Sequence, residues 1–179
     1  MLECFRYRID AEQLTNWCNR LKTEPIVHGS FVGPEGTGKT VLMEDLFSAA
    51  NDGEWIKVRE EDSLRTKIHA GRKIWSRESQ PLFLDGAEVL PSVFFRFKKF
   101  RRPKLIVTLH RDRRSIPILF QTHFDPAIAL DLFAFVMNRR ANPGEAERVA
   151  EVCKEHSGNM RSVIGALYRD AGQGRFSPH

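Results

Sequence analysis

Residues Gly33-Pro34-Glu35-Gly36-Thr37-Gly38-Lys39-Thr40 fit the pattern G-x-x-x-x-G-K-[ST], and their flanks constrain the fold more than any other stretch. An apolar run, Ile26 to Val32, leads in, and Val41-Leu42-Met43-Glu44-Asp45-Leu46-Phe47 follows at helical spacing. Strand, glycine loop and helix in that order are the context such a loop needs. Its glycines let backbone N–H groups curl around an anion, and the helix N-terminus adds partial positive charge. The Lys39 ammonium is placed to reach the outer phosphates of a nucleotide, and the Thr40 hydroxyl to hold Mg²⁺. The stretch from Gly33 to Val41 is therefore expected to bind a nucleoside triphosphate.

A chain of 179 residues holds one core and a small appendage. Apolar content of 41% and charged content of 28% are those of a water-soluble globular protein. No apolar run approaches the length of a membrane span. Met1 to Arg8 lacks the basic-then-apolar order of a signal peptide. Cys4, Cys18 and Cys153 are odd in number and widely spaced, which favours buried free thiols over disulfides or zinc ligands. A cytoplasmic setting is expected.

The remaining chain reads as alternating elements followed by helices. Asp10 and Gln13 form a capping-box pattern opening a helix over 10–22. The helix after the glycine loop should run from about 38 to 50 and stop at Asn51-Asp52-Gly53. Residues 54–59 alternate as a strand, and the mixed stretch 62–76 reads as a helix. Pro81-Leu82-Phe83-Leu84-Asp85 is a short apolar run ending in an acid, as in a buried parallel strand. An aspartate at that end, behind a phosphate loop, is where a second Mg²⁺ ligand belongs. Further strands are expected at 104–110 and 116–121. Asp125-Pro126, Asn142-Pro143-Gly144-Glu145 and Asn159 each cap a helix in the final third. The expected organisation is an α/β parallel-sheet core over 1–124, a helical lid over 125–171 and a disordered tail over 172–179.

The net charge of +5 is unevenly spread. Arg96, Lys98, Lys99, Arg101, Arg102 and Lys104 crowd one stretch without an acid, interleaved by Phe94, Phe95, Phe97 and Phe100. Arg111, Arg113 and Arg114 follow. Such basic stretches suit nucleic acid phosphates. A solvated helix face whose phenylalanines belong to the core accounts for the first stretch equally well.

With the phosphate loop, the strand ending at Asp85, the strand ending at Thr108 to His110, and Ser157-Gly158-Asn159-Met160-Arg161, the chain resembles the AAA+ ATPases over residues 10–171. The style is nearest to the initiator and clamp-loader-like branches. The resemblance implies a P-loop NTPase core with ATP and Mg²⁺ as ligands. It implies that Lys39 and Thr40 contact phosphate and metal and that Asp85 orients the metal shell. Thr108 or His110 would sense the γ-phosphate or polarise the attacking water. Arg161, whose guanidinium can grip two oxygens, would reach the γ-phosphate from the lid. For Arg161 a surface arginine beside a helix cap stays open, as does a strand-end histidine with a backbone partner for His110. One of Arg111, Arg113 and Arg114 would act on a neighbouring copy in a homo-oligomer, while a basic turn on a monomer or a nucleic acid patch stays open for them.

One position departs from the family. A catalytic glutamate usually follows the magnesium aspartate directly, and here that place is Gly86, with Glu88 the nearby carboxylate. Glu88 either serves as the base that aligns water or caps a helix while hydrolysis stays slow. Three functions follow. The first is an ATPase switch or motor acting on a partner protein or nucleic acid. The second is a nucleotide-binding regulator with little hydrolysis. The third is a small-molecule kinase on the same scaffold, for which no acceptor-site constellation is evident.

Overall fold

Short apolar runs separated by helices leave few ways to satisfy strand hydrogen bonds except a parallel sheet with helical crossovers. The computed structural model describes residues 11–95, 101–112, 116–157 and 159–176. Its strands are β1 (Val27–Val32), β2 (Glu54–Lys57), β3 (Leu82–Asp85), β4 (Lys104–Leu109) and β5 (Ile118–Gln121). All pairings are parallel, in the order β2-β3-β4-β1-β5. Helix α1 (Ala11–Thr23) precedes β1, α2 (Lys39–Ala50) links β1 to β2, and α3 (Leu64–Ile74) links β2 to β3. Two short 3₁₀ turns, Ala87–Val89 and Ser92–Phe95, follow β3. Asp10, half of the expected capping box, lies outside the described residues.

The sheet is buried on both faces, as parallel sheets are. Leu82, Leu84, Leu105, Val107 and Leu109 turn to one side, where α3 contributes Ala70 and Ile74. Phe31, Phe83 and Ile106 turn to the other, against Trp17 and Leu21 of α1 and Leu42, Met43 and Leu46 of α2. Strand β2 stops two residues short of expectation. Past Lys57 the backbone turns, with Arg59 N–H donating to the Asp62 carboxylate. Strand β5 begins after Pro117 rather than at Ile116. Pro117 has no N–H for the ladder, but its carbonyl accepts from Ser30 N–H.

The basic stretch near 100 contains an unexpected structural cation. Arg102 has no exposed surface. Its guanidinium donates to the Gln80 carbonyl at 3.0 Å, the Ser76 hydroxyl at 2.8 Å and the Glu78 carboxylate at 2.6 Å, and it lies 3.5 Å from Glu54. It ties the end of α3 and the chain entering β3 to the start of β2. Arg102 is thereby withdrawn from the surface that the sequence suggested for nucleic acid. Phe95 is core and Phe94 packs against it, while Arg101 and Arg111 are exposed. Residues 96–100, Arg113 and Arg114 lie outside the described residues.

The described chain divides into two compact units, one of residues 11–33 and 39–122, the other of 34–38 and 123–176. In the second, α4 (Pro126–Met137), α5 (Pro143–Glu155) and α6 (Met160–Gly172) are capped by Asp125, Asn142 and Asn159, the Asn142–Glu145 pair forming a full capping box. Two buried carboxylates hold these helices together. Glu145 accepts a two-pronged Arg139 guanidinium at 2.6 and 2.7 Å, and Asp170 accepts from Arg148 and Arg175 at 3.0 Å each. In the stretch expected to be disordered, Phe176 is instead buried, its ring edge-on to Phe133 at 4.8 Å. Residues 177–179 lie outside the description. Cys18 and Cys153 are buried free thiols, and burial raises both above the usual thiol range. Among the described residues no helix is long and apolar enough to cross a membrane.

Removing the Arg102 guanidinium strands its acceptors, so Arg102→Ala should lower unfolding free energy by about 3 kcal/mol. Urea denaturation reads this directly, and a loss under about 1 kcal/mol would show the network to be dispensable. The Arg102 hydrogen bond also holds the Glu78 carboxyl below its ordinary range. A depressed folded-state value means stability is present above the ordinary carboxylate range and is lost as pH falls through the depressed one. Glu78→Gln should therefore flatten the acid limb of the stability profile.

Candidate functional site

Parallel register brings the carboxyl ends of β1, β3 and β4 to one edge of the sheet, where α/β folds place ligands. Phe31 lies beside Thr108, and Lys57 beside Asp85. At that edge β1 gives way to the glycine loop and α2 begins at Lys39. Within the loop Gly36 and Gly38 take φ of 74° and 83°, and the Thr37 hydroxyl donates to the Pro34 carbonyl at 2.7 Å. Left-handed backbone at two glycines produces the tight curl anticipated from the motif. Gly33 answers to space instead, since a Cβ there would stand 2.1 Å from Thr122 Oγ1. The Lys39 side chain is buried, its ammonium donating to the Gly33 carbonyl at 2.7 Å.

The sequence-expected pair, Thr40 and Asp85, meets. The Thr40 hydroxyl stands 3.1 Å from both carboxylate oxygens of Asp85. Thr108, from the intervening strand β4, donates its hydroxyl to Asp85 Oδ1 at 2.7 Å and accepts the Gly86 N–H at 2.8 Å. Lys57, which sequence reasoning passed over as a strand residue, places Nζ 3.2 Å from Asp85 Oδ2. The signal available for it was slight: a cation closing the strand that pairs with β3. Asp85 itself is 5% exposed.

Backbone geometry accounts for the absent glutamate after Asp85. Gly86 has φ 82° and ψ 35°, and a Cβ there would stand 2.2 Å from the Val58 carbonyl oxygen. No side chain fits that position. The nearby carboxylate, Glu88, sits in the 3₁₀ turn after β3 and lies 3.2 Å from His110 Nε2, just past β4. Thr108 and His110, alternatives in the sequence, differ in partner: Thr108 binds Asp85, and His110 pairs with Glu88. Arg161 lies in the first turn of α6, exposed, in the helical unit.

Whether Mg²⁺ suits this donor set can be judged from its chemistry. A hydroxyl and a carboxylate, both hard oxygen donors and already within 3.1 Å of each other, match an ion that takes one or two protein oxygens and fills its shell with phosphate and water. Among the described residues no group of three His, Cys, Asp or Glu side chains gathers to form a protein-only cage. Thr40 and Asp85 fit the ion.

No protein-family model matches the chain, and no curated protein matches it in sequence. Solved structures do. The chain is similar to the RuvB Holliday junction branch migration motor of Thermotoga maritima, with TM-score 0.59 and 16% identity over 93% of this chain and 63% of that one. It is also similar to NtrX from Brucella abortus in complex with ATP, with TM-score 0.56 and 14% identity over 98% and 53%. The chain thus spans less than two thirds of the length of either. The shared architecture is the α/β parallel-sheet fold of P-loop NTPases.

The steric account of Gly86 is open to direct test. Gly86→Ala combines a left-handed φ, costing about 1–2 kcal/mol for a residue with a Cβ, with the Val58 collision. Denaturant unfolding should show a loss of at least about 2 kcal/mol. A neutral substitution would mean that β2 and β3 are more loosely apposed than described.

Proposed function

We propose that the chain is an ATP-binding P-loop ATPase of AAA+ type, working as a nucleotide-dependent switch or motor on a partner. The meeting of Thr40 with Asp85 at the mouth of the glycine loop carries this reading. In it, backbone N–H groups of 33–41 and the Lys39 ammonium bind the phosphates, displacing Lys39 from the Gly33 carbonyl. Thr40 and Asp85 would hold Mg²⁺, which would neutralise phosphate charge, and Thr108 fixes the Asp85 carboxylate in place. Glu88, 3.2 Å from His110, takes the proton of the attacking water. Arg161 reads the γ-phosphate from residues 125–171 acting as a lid, and with Ser157 to Met160 it is what supports the initiator and clamp-loader-like branch.

A second reading, a regulator with little hydrolysis, draws on Gly86. The position where the family keeps its base is closed to any side chain, and Glu88 already has His110 as partner. We place partner contact on the basic residues of 96–104 and 111–114, without Arg102, whether the partner is nucleic acid or a second copy. The buried reduced thiols are in keeping with the cytoplasm.

Two substitutions separate these readings. Lys39→Ala should abolish saturable ATP binding while leaving the fold intact; retained binding would overturn the phosphate-site assignment. Glu88→Gln should keep ATP bound and slow phosphate release by about a hundredfold or more if Glu88 is the base. Turnover equal to the unsubstituted chain would remove Glu88 from the mechanism. Release no faster in the unsubstituted chain than in Lys39→Ala would establish the regulator.

A further inference from the structure

We propose that Lys57 is a tethered cation that competes with Mg²⁺ for Asp85 and so weakens the dependence of nucleotide binding on the divalent ion. The inference rests on the phosphate-site reading above. Asp85 is buried, and burying a carboxylate is costly unless charge and hydrogen bonds surround it. Its hydroxyl partners, Thr40 and Thr108, are neutral. The positive charge comes from Lys57, level with Asp85 in the β2–β3 register, with Nζ 3.2 Å from Oδ2.

That oxygen is also one of the two that Thr40 approaches, so the ammonium sits on the donor set that suits Mg²⁺. Two cations cannot share it without repulsion. Lysine suits the role because its charge is a compact point on a flexible stem, easily exchanged for water. With 43% of its side chain exposed, Lys57 has solvent to retreat into when the ion arrives. It closes an edge strand, and its side chain is not among those forming the core. Removing it should change the electrostatics of the site more than the fold.

Binding of a fluorescent ATP analogue, titrated with Mg²⁺ after exhaustive EDTA treatment, tests this. The unsubstituted chain should retain binding in EDTA and need more Mg²⁺ for half-maximal tightening than Lys57→Met, by at least about threefold. Lys57→Gln should behave as Lys57→Met, which covers the failure of either variant to fold. Lys57→Arg, keeping the charge, should restore the unsubstituted behaviour, which a packing role would not require. Equal half-saturating Mg²⁺ in Lys57→Met and the unsubstituted chain, or a higher value in Lys57→Met, overturns the role of Lys57 and leaves the nucleotide site standing. If the unsubstituted chain binds no nucleotide at any Mg²⁺ concentration, the phosphate-site reading fails and this inference falls with it.

Discussion

The Asp85 carboxylate, almost wholly removed from water at the end of β3, draws its partners from three other elements: Thr40 of α2, Thr108 of β4 and Lys57 of β2. Each contact requires a particular register. Thr108 reaches Asp85 because β4 lies between β1 and β3, and Lys57 because β2 pairs level with β3. A slip of one residue along a strand would turn these side chains to the opposite face of the sheet. The apolar packing on both faces thus fixes the polar cluster at the edge, and the cluster in turn joins the start of α2 to the middle of the sheet.

The same crowding sets the chemical repertoire. The approach of Val58 to Gly86 closes the position directly after Asp85 to side chains, and the nearby carboxylate is Glu88, two residues on, paired with His110. Asp85 and Glu88 have different surroundings for that reason. One is wrapped in hydroxyls and an ammonium, whereas the other sits at the end of the strands beside an imidazole. Under the proposed function, the first would hold a metal and the second would handle a proton.

Much of this was legible in the residues. The octapeptide, the apolar run ending at Asp85 and the caps at Asp125, Asn142 and Asn159 are local signals, and the elements they announce are present. The roles of charged residues were less legible, because they depend on pairing between distant segments. Arg102 reads as one member of a basic run, yet it is buried, its acceptors 22 to 48 residues earlier in sequence. Lys57 looks like a solvent-facing strand end until β2 is known to pair with β3. Phe176, in a glycine-flanked tail, gives no local sign that it packs on Phe133. Local chemistry marks where a phosphate would bind, and long-range pairing decides which charges attend it.

Isothermal titration of the unsubstituted chain with ATP and Mg²⁺, set beside the same titration with AMP, tests the central claim most directly. A loop that reads phosphates should give saturable one-to-one binding of the triphosphate and little or none of the monophosphate. Equal affinity for both, or no saturable binding of ATP, would contradict the assignment of residues 33–41, Asp85 and Thr108 to a triphosphate site.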